Sequence, residues 1–439
     1  MNMQLERSFP NLKAIAKALE SEPETGYSTG FTKTFQTNEL YSLDVLITLL
    51  DYYSDLNILE PENARIRKGY LLLKTLVEEN TEAVPFRLKD NYYVREVDYG
   101  FNNPYEIGRI YNTQLITAQS LQREMRFFLF KNEYTDVDLV NSHPSILYRF
   151  AQQNNVQTPA LKRLVENRTM FYQEMSESRL IEGSSKKCTL ITLNLIDSDK
   201  HKEILKNLPE NCQSLYSDIE LVREKLFEKL FESDEKVFTS LKGFLMNKHS
   251  NINDSMEMRR SVQIYYCFTQ ESLSLTLLRR RIMDRVPDLS TISFLPIFDG
   301  ALIRTGDSFY QSDLTETLVS VNEEIYPLTF KESPLTLEQG LLTEETFKCY
   351  LNINHFLGQS HTISNFETLL TRLEMEPFEL SETAGFSIVN SESDYFLDDP
   401  KIQSEIDLET RKYHCNFRLK LLDHAQDIDS LENLLHTSQ

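Results

Sequence analysis

Hydrophobic spacing along this 439-residue chain predicts an α+β or α/β fold, in which long helices surround one small sheet. Three observations carry that prediction. Apolar residues recur at helical spacing through YSLDVLITLLDYY, ARIRKGYLLLKTLVEE and SDIELVREKLFEKLFE. A clean polar–apolar alternation marks YTDVDLVN as a strand. STISFLPIFDGALIRTG places two apolar runs on either side of an Asp-Gly turn, the strongest hairpin signal in the chain.

In chain order, residues 1–104 are expected to form a helical N-terminal domain, its helices parted by the turn-like LEPEN. The polar stretch DYGFNNPYEIGR opens a second unit, 105–334. There AQSLQREMRFFLF predicts a helix, YTDVDLVN the strand, and SHPSILYRFAQQN a helix introduced by Ser and Pro. KKCTLITLNLI is apolar enough for either a helix or a strand, and its period does not choose between them. The helical run that follows is expected to break near Ser233-Asp234. SVQIYYCFTQESLSLTLLRRRIMDRV gives another helix, ended by Pro287. After the hairpin, ETLVSVNEEIY and YPLTFKES supply a helix and a strand. Residues 335–439 read as an acidic domain or tail, with SESDYFLDDP as an exposed loop.

Composition excludes several classes. No stretch approaches the ~20 apolar residues of a membrane helix, and the start lacks the pattern of a secretion signal. The five cysteines are widely spaced with no CxxC pair, which fits a reducing interior and an intracellular location better than a disulfide or zinc framework. No GxGxxG or GxxxxGK[ST] string is present, so neither a Rossmann nor a P-loop nucleotide site is supported. The net charge of −21 argues against a nucleic-acid partner only until it is mapped. Residues 311–439 hold 24 acidic and 8 basic side chains, a net of −16, which leaves −5 for the first 310. That first part is balanced enough to carry a basic cleft, while the acidic last part suits a basic protein partner.

Two carboxylates stand out. Asp138 lies in the predicted strand and Asp299 at the hairpin tip. Carboxylates on two adjacent strands are what a pair of divalent cations needs for phosphoryl transfer. Asp-Gly at a turn is, on its own, ordinary turn chemistry. Asp136 shares the strand face of Asp138 and is read first as a solvated residue, with a third carboxylate near the metals as the alternative.

An ordered set of motifs ties the two aspartates together. GRIYNTQLITAQSLQREMRFFLFKNEYTDVDLVNSHPSIL resembles the region of family A (DNA polymerase I-type) DNA polymerases in which a GR, an LQ and an arginine precede the motif A strand. Gly108 and Arg109 match the GR, Leu121 and Gln122 the LQ, Arg126 the arginine, and Asp138 the motif A aspartate. The DxDxxNxHP form, with Asn141 and His143, looks closest to short exonuclease-less polymerases of large DNA viruses and mobile elements. FLPIFDGALI resembles motif C, with Asp299 as its metal-binding aspartate; Phe298 precedes it where the family usually has histidine.

The resemblance implies a right-hand palm and fingers over 105–334, a thumb-like N-terminal domain and no proofreading exonuclease. It implies two Mg²⁺ ions (or Mn²⁺) on Asp138 and Asp299. Primer–template DNA and deoxynucleoside triphosphates would be the partners, with DNA replication as the setting. Lys187, or Lys186, and Arg179 would meet the triphosphate. Arg109, Gln122 and Arg126 would meet primer–template, and Asn141, His143 and Gln270 would line the substrate site. Two alternatives share the reading: a primase, terminal transferase or single-subunit-type RNA polymerase, prompted by His143 where many members have a sugar-selecting glutamate, and a degenerate palm serving as an acidic scaffold. The run Arg279, Arg280, Arg281 with Arg285 is read as cations at a helix C-terminus, with phosphate contact as the alternative.

Overall fold

A computed structural model describes residues 32–78, 86–89, 92–112, 116–177, 185–194, 206, 209–249, 252–286, 292–304, 311–337 and 341–359. Among the described residues the architecture is α+β, with helices around two small antiparallel sheets rather than the one expected.

The central sheet has the order β6-β7-β5-β8, with β5 spanning Thr135–Leu139, β6 Ser293–Ile297, β7 Gly300–Arg304 and β8 Phe330–Ser333. Its faces meet two different cores. Val137, Ala301, Ile303 and Phe294 point into the larger one, with the helices α4 (Ser142–Gln153), α8 (Glu210–Glu232) and α10 (Met256–Met283). Leu302 and Leu295 point into a second core, with α1 (Leu43–Leu59) and α3 (Arg123–Phe130). Asp136 stands opposite Leu302 in the register, so Asp136 and Asp138 share that second face, at its edge. The hairpin β6–β7 and the helices α4, α8 and α10 fall where the hydrophobic pattern places them. The expected break near Ser233 separates α8 from α9 (Lys236–Lys248). The run left open between helix and strand is α7 (Ser185–Asn194), a helix packed on α8.

Two expectations need correction. Among its described residues the N-terminal region holds α1 and α2 (Ala64–Glu78) but also strands, so the expectation of helices alone does not hold there. β1 (Thr32–Ser42), β2 (Phe86–Lys89), β3 (Tyr92–Phe101) and β4 (Tyr111–Asn112) form the second sheet. The inward side of β1 is Phe35, Thr37, Glu39 and Tyr41, and that of β3 includes Tyr93, Arg95, Val97 and Tyr99. Polar residues on the buried face hide the apolar alternation that announces a strand.

The boundary at 334 also fails as a domain boundary. In α12 (Glu344–Gln359), Phe347 stacks on Phe128 with ring centroids 4.3 Å apart. From the same helix, the Tyr350 hydroxyl donates to Asp55 of α1. The start of the acidic region therefore completes the second core, and SESDYFLDDP lies outside the described residues. Between β7 and β8, α11 (Gln311–Ile325) carries Glu316 and Glu324, which pair with Arg285 and Arg281. Arg279 instead lays its guanidinium 4.3 Å from the Phe35 ring centroid. Among the described residues, Cys188, Cys212, Cys267 and Cys349 are buried and free, and no helix is long and apolar enough to cross a membrane.

Candidate active site

A cleft of about 600 Å³ opens where β5 and the β6–β7 turn meet α4, α7 and α10. Asp138 sits in the middle strand, with Gly300 of β7 opposite on one side and Lys331 of β8 on the other. Asp299 occupies the turn, and its carbonyl accepts from the Leu139 N–H at 3.2 Å. Chain pairing thus brings the two motif aspartates to neighbouring positions at one cleft. The glycine between them is required by space: a Cβ on Gly300 would fall 2.0 Å from Asp138 Oδ1 and 2.6 Å from the Val137 carbonyl oxygen.

The turn itself is strained. Its two central residues are Phe298 and Asp299, one position earlier than the expected Asp-Gly pair because Gly300 already belongs to β7, and Phe298 has φ +61°. Positive φ at the first position of a two-residue hairpin turn is ordinarily filled by glycine, and in an L-residue it costs about 1–2 kcal/mol. Phe298 recovers little of that through burial, being 41% exposed.

Asp136, Asp138 and Asp299 all line the cleft, and among the described residues none forms an ion pair. Burial, then the charge of Asp138, pushes the Asp136 carboxyl up to about 7. Burial likewise raises Asp138, against the pull of Arg123, Lys331, Lys186 and Arg126. Burial raises Asp299 as well, with Glu271 and Asp138 adding to the effect. The solvated reading of Asp136 is therefore corrected: it is a half-buried member of a carboxylate trio.

Around the trio, cations converge from four elements: Arg123 and Arg126 on α3, Arg168 on α6 (Arg168–Glu177), Lys186 on α7 and Lys331 on β8. Arg126 is anchored by a 2.6 Å bond from Nη1 to the Leu121 carbonyl.

On the opposite wall is a network the sequence did not announce. Glu271, on α10, is 1% exposed by side chain and accepts from Arg109 Nε at 2.9 Å and from Ser142 Oγ at 2.6 Å. His143 Nε2 stands 3.1 Å from the same carboxylate, close but not aligned for a hydrogen bond. Burial alone would raise the Glu271 carboxyl; His143 and Arg109 overcome it and hold the group down at about 2. Gly108 places Arg109 there. With φ +99°, its N–H donates to Thr269 Oγ1 at 3.0 Å and its carbonyl accepts from Ser272 Oγ at 2.9 Å, which clamps the GR dipeptide onto α10. Asn141, at φ +49°, turns the chain from β5 into α4; its side chain makes no cap bond, so tolerance of the left-handed region, not capping, explains asparagine there.

Of the residues singled out in the sequence, Asp138, Asp299, Arg109, Arg126, Asn141, His143 and Lys186 line this cleft. Three others do not. Lys187 is exposed on α7 one position beyond Lys186, which turns it away by helical rotation. Gln122 precedes α3 at its N-cap position without a side-chain cap bond, and its Nε2 reaches toward the Arg65 carbonyl at 3.5 Å. Gln270 is displaced by its neighbour: the helix presents Glu271 to the cleft instead. Arg179 lies outside the described residues. Glu271 had one legible signal, a lone acid in the small and apolar run ESLSLTLL, where a buried carboxylate requires partners.

Asp138 and Asp299 offer hard oxygen donors without competing ion pairs, and Gly300 keeps the space between them clear of side chain, so the residues present fit Mg²⁺ or Mn²⁺. Among the described residues no three His, Cys, Asp or Glu side chains form a ready-made metal cage. Mg²⁺ characteristically takes one or two carboxylates and completes its shell with water and substrate phosphate.

No family model matches the chain. Over 244 residues, 52% of its length, it is 21% identical to the Sputnik virophage protein named "Putative helicase V13". The chain spans 28% of that protein's length.

Proposed function

We propose that this protein is a template-directed nucleotidyltransferase of the DNA polymerase type, with the central sheet as its palm and a primer 3′-hydroxyl and a deoxynucleoside triphosphate as its reactants. One observation carries the reading: Asp138 and Asp299, chosen from separate motifs, stand side by side at a cleft rimmed by cations. A carboxylate pair left without ion-pair partners among the described residues in a half-buried site favours a cationic ligand, because a bound cation offsets the burial that raises both carboxyls.

Asp138 and Asp299 would hold two Mg²⁺ ions, which when bound lower the pKa of the attacking hydroxyl and offset charge on the phosphates. Lys186, Arg123 and Lys331 are placed to bind the triphosphate and to counter the charge that develops on the leaving pyrophosphate. Arg109, fixed by Glu271, holds the strand end. His143 and Ser142, tied to the same carboxylate, line the wall beside it.

The test is primer extension with Mg²⁺ on a defined template. Asp138→Ala and Asp299→Ala should each lower incorporation by about three orders of magnitude or more while keeping the fold; undiminished incorporation by either variant rejects the assignment. Parallel reactions with ribonucleotides and without template separate the primase, transferase and RNA polymerase variants of the reading.

A second reading, a nucleic-acid-processing unit that accompanies a helicase, is favoured by the name of the virophage protein. The chain contains no GxxxxGK[ST] loop to cradle a nucleotide, so the motor would belong to other parts of such a protein. Absence of primer extension together with DNA binding that stimulates ATP hydrolysis by a separately supplied helicase would favour it.

A further inference from the structure

Phe298 is conspicuous because neither its burial nor its backbone conformation explains a phenylalanine there. It occupies a backbone conformation suited to glycine, it is 41% exposed, and it borders Asp299 at the mouth of the cleft. Its ring is also held in place. The Arg109 guanidinium lies 5.3 Å from the Phe298 ring centroid and 4.1 Å from that of Phe268, and buried Glu271 fixes the guanidinium through Nε. The result is a Phe268–Arg109–Phe298 stack rooted on α10, with a strained aromatic as its outermost, solvent-facing layer.

We infer that Phe298 is a stacking platform for a nucleobase at the end of a nucleic-acid strand, with Glu271 acting as a positioning residue through Arg109. The inference rests on the nucleic-acid reading of the cleft but not on nucleotidyl transfer. An aromatic face next to a fixed cation suits a base, whose π-face stacks on the ring while the strand's phosphate meets the positive charge. A merely structural phenylalanine would be buried, and a merely solvated turn residue would be glycine, asparagine or aspartate.

The experiment compares fluorescein-labelled oligothymidylate with an abasic oligomer of equal length and charge, by anisotropy at low salt in EDTA. Wild-type protein should bind the base-bearing strand about ten-fold more tightly. Phe298→Gly and Phe298→Ala should lose most of that preference and bind both strands alike, and Phe298→Trp should keep it. Phe298→Gly also separates binding from folding, since glycine accepts the φ of this turn. It should melt no lower than wild type while losing the base preference.

Glu271→Gln should weaken binding of the base-bearing strand more than of the abasic one. The inference is overturned if Phe298→Gly retains the wild-type preference, or if the wild type shows none. Primer extension is read separately on the same preparation: a wild type that extends nothing yet shows a Phe298-dependent base preference overturns the polymerase reading and leaves this one standing.

Discussion

Glu39 on β1 and Arg95 on β3 face each other in the register of the N-terminal sheet, and both are buried. The Glu39 carboxylate accepts from the Tyr99 hydroxyl and the Ala118 N–H, each at 3.0 Å, and from the Tyr41 hydroxyl. On β5 of the central sheet, Asp136 and Asp138 are half-buried without an ion pair among the described residues, and Asp299 joins them at the turn. One sheet surrounds its acid with donors from three elements, whereas the other gathers acids whose charges oppose one another. Buried charge that is fully met by donors belongs to the architecture. Buried charge that is left wanting marks the place where a ligand completes the structure.

The largest expected effect breaks the satisfied side. Glu39→Ala leaves two tyrosine hydroxyls and the Ala118 N–H without their acceptor and Arg95 without its opposing charge, and should destabilise the protein by about 3–5 kcal/mol, measured as a loss in urea unfolding free energy. A loss below about 1 kcal/mol would put Glu39 in the same class as the aspartates.

Glu271 sharpens the comparison, since it lines the same cleft as the aspartates yet accepts from Arg109 and Ser142. Its carboxyl is held at about 2 against an ordinary 4.5, so its contribution is complete above pH 4.5 and is lost as pH falls toward 2. That contribution is on the order of 3 kcal/mol. Glu271→Gln should flatten the acid limb of stability against pH, and an unchanged limb would contradict the network.

Gly300→Ala comes next. Backbone and carboxylate oxygens block the new methyl group, so a loss of about 1–3 kcal/mol in thermal or urea stability is expected, together with loss of activity.

The smallest effect has the opposite sign. The Asp136 carboxyl is raised to about 7, so the folded state binds more protons than the unfolded one between the ordinary 3.8 and 7, and stability falls as pH rises across that window. Asp136→Asn should therefore stabilise the metal-free protein by about 1–2 kcal/mol at pH 8, after allowing for partial exposure. Adding Mg²⁺ should narrow the gap between the two melting temperatures.

Much of the central sheet was legible because its elements obey local rules. TDVDL alternates, FDG turns, and the long helices keep their period. The N-terminal sheet was not, because β1 and β3 turn Thr37, Glu39 and Arg95 inward. Their burial depends on partners far along the chain, and no local pattern encodes that. The same limit separates Lys186 from Lys187 and Glu271 from Gln270. A motif locates a helix, but the rotation of that helix against its neighbours decides which of two adjacent side chains enters the cleft.

The closing contribution of α12 has a consequence for how the molecule is made. Phe347 and Tyr350 fill a core begun by α1, so the ribosome must deliver about three hundred further residues before α1 meets α12. Until then the tyrosines and leucines that α12 covers stay in contact with water. A protein shortened at Pro334 should for that reason emerge sticky rather than merely lacking an appendage.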